Sequence, residues 1–281
     1  MRVSSDFLGG LLRPAPPKPK LPTARERAAT NRLNVLRALA VHGHLRCSDL
    51  AAACWPQAAF GEQMAQRTVR VLAESGELKA RRNAHGSLSY VLTRPGAAAL
   101  ELRGVAARHG LDLASVSGPT YAHFALTARW CLAKQAQGFE AYSEYALVNG
   151  FAPVTAQQLL GRYRKLCDAV LIRGKQLWLV ETESAPKGTP ELIRIAALAE
   201  QVARPVHPEL PYVLAGVVIV FDETLNHGAR IAKAARERWA RYSAVDQATL
   251  ASRVTLARVK LGLPLVWRGC TEAPLSLAQR V

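Results

Sequence analysis

Glu181 and Glu183 stand two residues apart in Val180-Glu-Thr-Glu-Ser-Ala-Pro-Lys187, directly after the apolar run Gln176–Val180, and Cys167-Asp-Ala-Val-Leu-Ile172 lies one hairpin upstream. Side chains at i and i+2 of a β-strand share a face, so the two glutamates project together and a neighbouring strand brings Asp168 beside them. Carboxylates gathered at the end of an apolar sheet repel one another unless a cation, a basic side chain or a proton intervenes. The chemistry this pattern suits is metal-dependent phosphodiester hydrolysis, with Asp168, Glu181 and Glu183 as ligands of Mg²⁺ or Mn²⁺, or the remains of such a site. The other reading is an ion network in which the glutamates pair with basic neighbours such as Lys187. Glu144, at the end of the preceding strand, is a candidate further ligand. His123 lies on a largely apolar helix, the usual setting of a packed, hydrogen-bonded core imidazole.

The elements that must position these residues follow from hydrophobic periodicity. A helix is predicted over Tyr121–Gln137, strands over Phe139–Val148, 165–172 and Gln176–Glu183, then a helix over 190–203 with Pro190 suited to its first turn. A strand Tyr212–Phe221, a helix Glu223–Tyr242 and a strand Arg253–Val259 complete the pattern. The longest apolar run, Val213–Phe221, has about half the length a membrane helix needs and reads as a buried strand. After Gly262 only Trp267 stands out, as a side chain that packs a C-terminal extension onto the core.

The chain carries 37 Lys and Arg against 21 Asp and Glu, a net charge of +16, which suits a polyanionic partner such as nucleic acid. Through Gly110 there are 17 basic and 7 acidic residues, a net of +10; the remainder has 20 and 14, a net of +6. The basic excess is therefore concentrated in the first part. Residues 1–22, with Arg13-Pro-Ala-Pro-Pro-Lys-Pro-Lys-Leu-Pro22, form an extended basic tail, because so many prolines preclude a helix. Thr23 then caps a helix with apolar Leu33, Val35, Leu36, Leu39 and Val41, ended by Gly43. Ser48 caps a short helix Asp49–Cys54, and a third helix runs over Gly61–Glu74. On that helix Met64, Thr68, Val71 and Leu72 share one face, while Gln63, Gln66, Arg67 and Arg70 share the other. Strands Glu77–Arg82 and Leu88–Thr93 flank the turn Asn83–Ser87, and a helix follows over Ala97–Arg108.

Three helices and a hairpin, the third helix turning Gln and Arg outward, describe a winged helix-turn-helix. Gln63, Gln66, Arg67 and Arg70 can reach base edges of double-stranded DNA, and Lys79, Arg81, Arg82 and His85 on the wing can reach phosphates. The expected organisation is an α/β chain: a basic tail (1–22), an α+β winged helix (23–110), an α/β domain with a mixed central sheet (119–262) and an extension (263–281). Five cysteines without a C-x-x-C pair predict reduced thiols, and His42, His44, Cys47 and Cys54 lack zinc-finger spacing. The first residues lack a basic region followed by a long apolar segment, so the expected location is the cytoplasm, with no membrane partner.

The order αβββαβ, with an acid on the second strand and Glu-x-Glu on the third, resembles the PD-(D/E)xK nuclease superfamily. That resemblance gives Asp168 and Glu181 the metal-binding positions and places Glu183 where the superfamily has its catalytic Lys. Lys187 is then the nearest replacement, ahead of Lys165 and Lys175. Taken over residues 30–225, the winged helix, His123-Phe-Ala-Leu-Thr, Ser143-Glu144, Asp168-Ala-Val-Leu and Val180–Lys187 together resemble the replication-relaxation family of plasmids and integrative elements. The resemblance implies a DNA-binding protein of a mobile element, with replication or conjugation proteins as partners and a nuclease-like domain that cleaves DNA with Mg²⁺ or Mn²⁺. It equally admits a transcriptional regulator or conjugation accessory factor whose second domain has lost chemistry and serves in homodimerisation or partner binding. A nicking relaxase would need a tyrosine at the site, for which Tyr142, Tyr145 and Tyr163 are the nearby candidates.

Overall fold

The computed structural model describes residues 21–163, 166–202, 210–262 and 265–278; most of the proline-rich tail and Lys165 lie outside the described residues, and of Tyr163 only the backbone is described. The chain is an α/β protein with a small three-stranded sheet in its first part and a mixed six-stranded sheet in its second. No described helix is long and apolar enough to cross a membrane.

In the first part α1 (Ala24–His42) begins at a reciprocal cap: Thr23 Oγ1 accepts from the Glu26 N–H at 3.2 Å, and Glu26 Oε2 accepts from the Thr23 N–H at 2.6 Å. Gly43, at φ +77°, ends it. Then follow β1 (His44–Leu45), α2 (Cys47–Cys54), α3 (Gly61–Glu74) and the hairpin β2 (Leu78–Arg82) and β3 (Leu88–Leu92), paired antiparallel in the order β1-β3-β2. This is the element order and sheet order of a winged helix. Ser48 is not the cap of α2. That helix starts two residues earlier, at Cys47, because the Asp49 carboxylate reaches back to the Arg46 N–H at 3.2 Å and to its guanidinium Nε at 2.8 Å. The inner face of α3 is Ala65, Val69 and Leu72, while Val71 is exposed. A step of one residue turns a helix by about 100°, so Val71 cannot share the face of Leu72.

The helix after the wing, α4 (Arg94–Glu101), is shorter than its periodicity implies and stops well before Arg108. Gly96 lets it approach β2: a Cβ there would stand 2.1 Å from the Glu77 carbonyl oxygen. Gly96→Ala is therefore expected to lower stability by about 1–3 kcal/mol, seen as an earlier urea midpoint at unchanged slope. An unchanged midpoint would mean that the backbones part without cost.

A 3₁₀ turn at Leu113–Ser115 leads into α5 (Gly118–Gln135), β4 (Glu140–Ser143), α6 (Glu144–Val148), α7 (Ala156–Tyr163), β5 (Ala169–Arg173) and β6 (Gln176–Glu183). Then come α8 (Thr189–Val202), β7 (Val213–Asp222), α9 (His227–Trp239), α10 (Ala244–Ser252), β8 (Val254–Gly262) and β9 (Val266–Pro274). The sheet order is β4-β5-β6-β7-β8-β9; β4, β5 and β6 form an antiparallel meander, β6, β7 and β8 are parallel, and β9 returns antiparallel along β8. The stretch expected as one strand over Phe139–Val148 breaks at Ser143, where the chain turns into α6. Likewise the strand expected from residue 165 begins only at Ala169. Val266–Pro274 pairs along β8 as an edge strand, and Trp267 packs against the buried cluster of the sheet face toward α5, as expected.

Central β7 is buried on both sides, as a parallel strand under two helical layers must be. Ile219 and Phe221 pack with α8 and α9 around Trp239, while Val218 and Val220 pack with Leu126, Trp130 and Cys131 of α5. Helix α5 also completes the winged-helix core, to which it contributes Ala128 and Leu132. The first part thus shares a wall with the second, and a fragment cut at Gly110 would expose that wall.

Candidate functional site

At the end of β6, alternation places Glu181 and Glu183 on the same sheet face as Leu177 and Leu179, beneath α8 and α9, and Thr182 on the face toward α5. Both glutamates are buried, at 1% and 4% exposure. Thr182 meets Thr127 of α5, hydroxyl to hydroxyl at 2.8 Å. Asp168 occupies the position just before β5, its N–H donating to the Val180 carbonyl at 3.0 Å. Its backbone is therefore in register beside Glu181, as the hairpin predicts, but its carboxylate turns along the strand edge. Oδ2 accepts from the Thr182 N–H at 2.7 Å, and Oδ1 lies 3.2 Å from His123 Nε2. The Glu144 N–H donates to the Asp168 carbonyl at 2.7 Å, which sets the start of α6 against the same point.

The three acids do not converge as one ligand set. Asp168 is engaged by His123 and Thr182, while Glu183 is engaged by Lys187, whose Nζ lies 3.0 Å from Oε2. Among the described residues no three His, Cys, Asp or Glu side chains come together to hold a metal ion. The split has a physical cause. Asp168 sits outside the strand, where its carboxylate substitutes for the next strand residue as acceptor of the Thr182 N–H. Glu183, inside the strand, faces the opposite helical layer.

Lys187 is turned inward rather than solvated ahead of α8. Its loop is held from α9, where Arg230 donates to the Lys187 carbonyl and the buried His227 ring contacts the Ala185 carbonyl at 3.0 Å. Lys175 lies at the far end of the hairpin, between β5 and β6, away from the acids. Tyr142 is placed elsewhere, its hydroxyl donating to Glu140 at 2.9 Å, whereas Tyr145, whose ring packs on Gly43, lines a cavity together with His123, Glu144 and Asp168.

His123 belongs to the site, not merely to the core. Burial lowers its pKa, but the hydrogen bond and charge of Asp168, with the charges of Glu183 and Glu144, outweigh burial and raise it. In the same way burial and the neighbouring Asp168 charge push the Glu144 carboxyl up. Burial, then the charges of Glu181 and Asp168, hold the Cys167 thiol well above its usual value. His123 faces Asp168 across the fold, from a helix a whole meander earlier, so only the His123-Phe-Ala-Leu-Thr motif flagged it in the sequence.

The candidate nucleic-acid surface lies on the first part. Gln63, Gln66, Arg67 and Arg70 are all exposed along α3, and Lys79, Arg82 and His85 are exposed on the wing, with Arg81 half-buried. The wing divides its basic residues by strand alternation. Arg82 shares the face of Leu78 and closes the turn by donating to the Gly86 carbonyl at 2.9 Å. Lys79 and Arg81 share the other face, where they line a hollow with Arg94 and His109. His85 leans on Tyr121 of α5, ring centroids 5.7 Å apart. Beside Gln66 a groove of about 580 Å³ runs to Ser87 of the wing, Arg129 of α5 and Trp267 of β9. Compared with known proteins, the chain matches no protein-family model, no curated protein and no solved structure.

Proposed function

We propose that the chain is a cytoplasmic protein of a mobile genetic element that binds double-stranded DNA through its winged helix. The observation that carries this reading is the exposed Gln63, Gln66, Arg67 and Arg70 face of α3 beside a basic wing, in a chain of net charge +16. Base-edge contacts from α3 would set the sequence, and Arg82 and Lys79 would hold phosphates. The acidic sheet end, with its carboxylates already partnered inside the protein, serves in this reading as a structural and partner-binding centre. That role fits a replication, conjugation or transcription accessory factor, with a homodimer or a partner protein assembled through the second part.

Binding of the full chain to duplex DNA should weaken steeply with salt, because phosphate contacts release counterions. Arg67→Ala or Arg70→Ala is expected to cost about 1–3 kcal/mol on the cognate site only, whereas Arg82→Ala should weaken all sequences and flatten the salt dependence by about one unit. Absence of salt-dependent binding at low ionic strength would sink the reading.

A second reading, cleavage of DNA with Mg²⁺ or Mn²⁺, is favoured by one observation: Lys187 brings its ammonium to the sheet end, against Glu183. Metal titration followed by calorimetry tests it, with Asp168→Ala abolishing any site shared by Asp168, Glu181 and Glu183. Identical titrations for the two proteins would leave the binding role alone.

A further inference from the structure

Where the two parts of the chain meet, a cavity of about 220 Å³ lies between the end of α1 and β1 on one side and α5 and α6 on the other. Its walls are apolar, with Leu111, Phe124, Ala128 and Val148 among them. Two histidines that line it are short of partners. His42 lines it with both ring nitrogens unbonded and His44 with Nδ1 unbonded, although each residue is only 5% exposed. Buried polar atoms without partners are costly, and they mark a place where something else completes the bonding. Glu144 also lines the cavity, where it shares the attraction of the His123 imidazole with Asp168, to which His123 is bonded. One imidazole thus stands against two carboxylates, and an excess of negative charge faces an apolar space bounded by the aromatic rings of Phe124 and Tyr145.

We propose that this cavity binds a small organic cation, a primary ammonium carried on a single apolar ring. The ammonium would donate to Glu144 and to the free imidazole nitrogens, with the faces of Phe124 and Tyr145 adding cation–π attraction. The volume lies below that of sites for drug-sized molecules, which limits the ligand to one ring. An anion would meet Glu144 and Asp168 with like charge. The cavity does not involve the DNA face of α3 and stands apart from the DNA-binding reading, but it shares Asp168, His123 and Glu144 with the sheet end to which the cleavage reading assigns a metal.

The test is thermal melting of the full chain with benzylamine, benzyl alcohol and benzoate, which share a ring and differ in charge. Benzylamine should raise the melting temperature saturably, with at least about tenfold higher affinity than benzyl alcohol, and benzoate should have no effect. Glu144→Gln should erase the preference for the amine. Ala128→Leu, which fills the cavity from α5, should abolish the response while the circular dichroism of the fold is retained. No saturable effect of benzylamine would mean that solvent alone fills the space and would overturn the proposal. An equal response to the alcohol, or a preference that survives in Glu144→Gln, would overturn it too. Should Glu144→Gln fail to fold, an unchanged benzylamine response in Ala128→Leu remains decisive against it.

Discussion

Acidification from pH 7 to 4.5 is expected to remove about 5 kcal/mol of stability through two histidines alone, His42 and His44. Burial lowers both to about 4 from 6.5, partly offset by the nearby Asp49 carboxylate; the His44 imidazole adds to the lowering of His42, and the Arg46 guanidinium to that of His44. A histidine depressed in the folded state takes up its proton more readily when unfolded. Stability is therefore intact above pH 6.5 and falls as the pH drops from 6.5 towards 4, by up to about 1.4 kcal/mol per pH unit for each group. His123 has the opposite sign: its raised pKa contributes stability at low pH that is lost as pH rises through its folded value. Glu144, also raised, likewise favours the folded state as it takes up a proton. Two depressed groups against two more modest opposing ones leave a net acid loss. Urea titrations at several pH values measure it, and His42→Leu should reduce the slope by about half. A midpoint that does not change between pH 7 and 4.5 would show that both imidazoles reach water.

The elements that alternate or repeat cleanly were legible in the sequence. Gln176–Glu183 and Gly61–Glu74 are read to the residue, since eight strand residues ending in acids and fourteen helical ones with a polar face leave little choice of boundary. Illegible were elements with too little pattern to read. Two-residue β1 has no period at all, and edge strand β9 is mostly exposed, so Arg268-Gly-Cys-Thr-Glu-Ala-Pro274 shows no inward face. The start of α6 was hidden because it is fixed by bonds to distant segments, the Ser143 hydroxyl donating to the Val41 carbonyl and the Glu144 N–H to the Asp168 carbonyl, which hydrophobicity does not register. At the site, parity on β6 gave Glu181 and Glu183 a common face, but it could not say that Asp168 would spend its carboxylate on Thr182 and His123. Those are bonds across the fold, set by how α5 lies on the sheet. The outward polar face of α3 needed no such information, because an exposed stripe follows from the helix period once its opposite face is buried.

Replacing Lys187 separates the two functional readings by a difference in kind. Glu183 is 4% exposed, and Lys187 is its cation at 3.0 Å. Removing one partner of a buried pair strands the other charge, at a cost of about 3–5 kcal/mol when both are buried; here the lysine side chain keeps 36% of its exposure, so Lys187→Ala should cost about 2 kcal/mol. The loop itself should keep its course, because Arg230 and His227 hold it through the backbone carbonyls of Lys187 and Ala185. If pairing is the whole role of Lys187, the double variant Glu183→Gln/Lys187→Met should recover most of the lost stability, a coupling that denaturant melts resolve. If the ammonium instead stabilises charge on a phosphate during Mn²⁺-dependent cleavage, Lys187→Ala should lower the rate at least about a hundredfold, and the stability-restoring double variant should stay inactive. Supercoiled and linear DNA serve as substrates for that arm. Wild-type protein that cleaves neither with Mn²⁺, together with recovery in the double variant, would reject the nuclease and identify Lys187 as the counter-ion that lets Glu183 remain buried and charged.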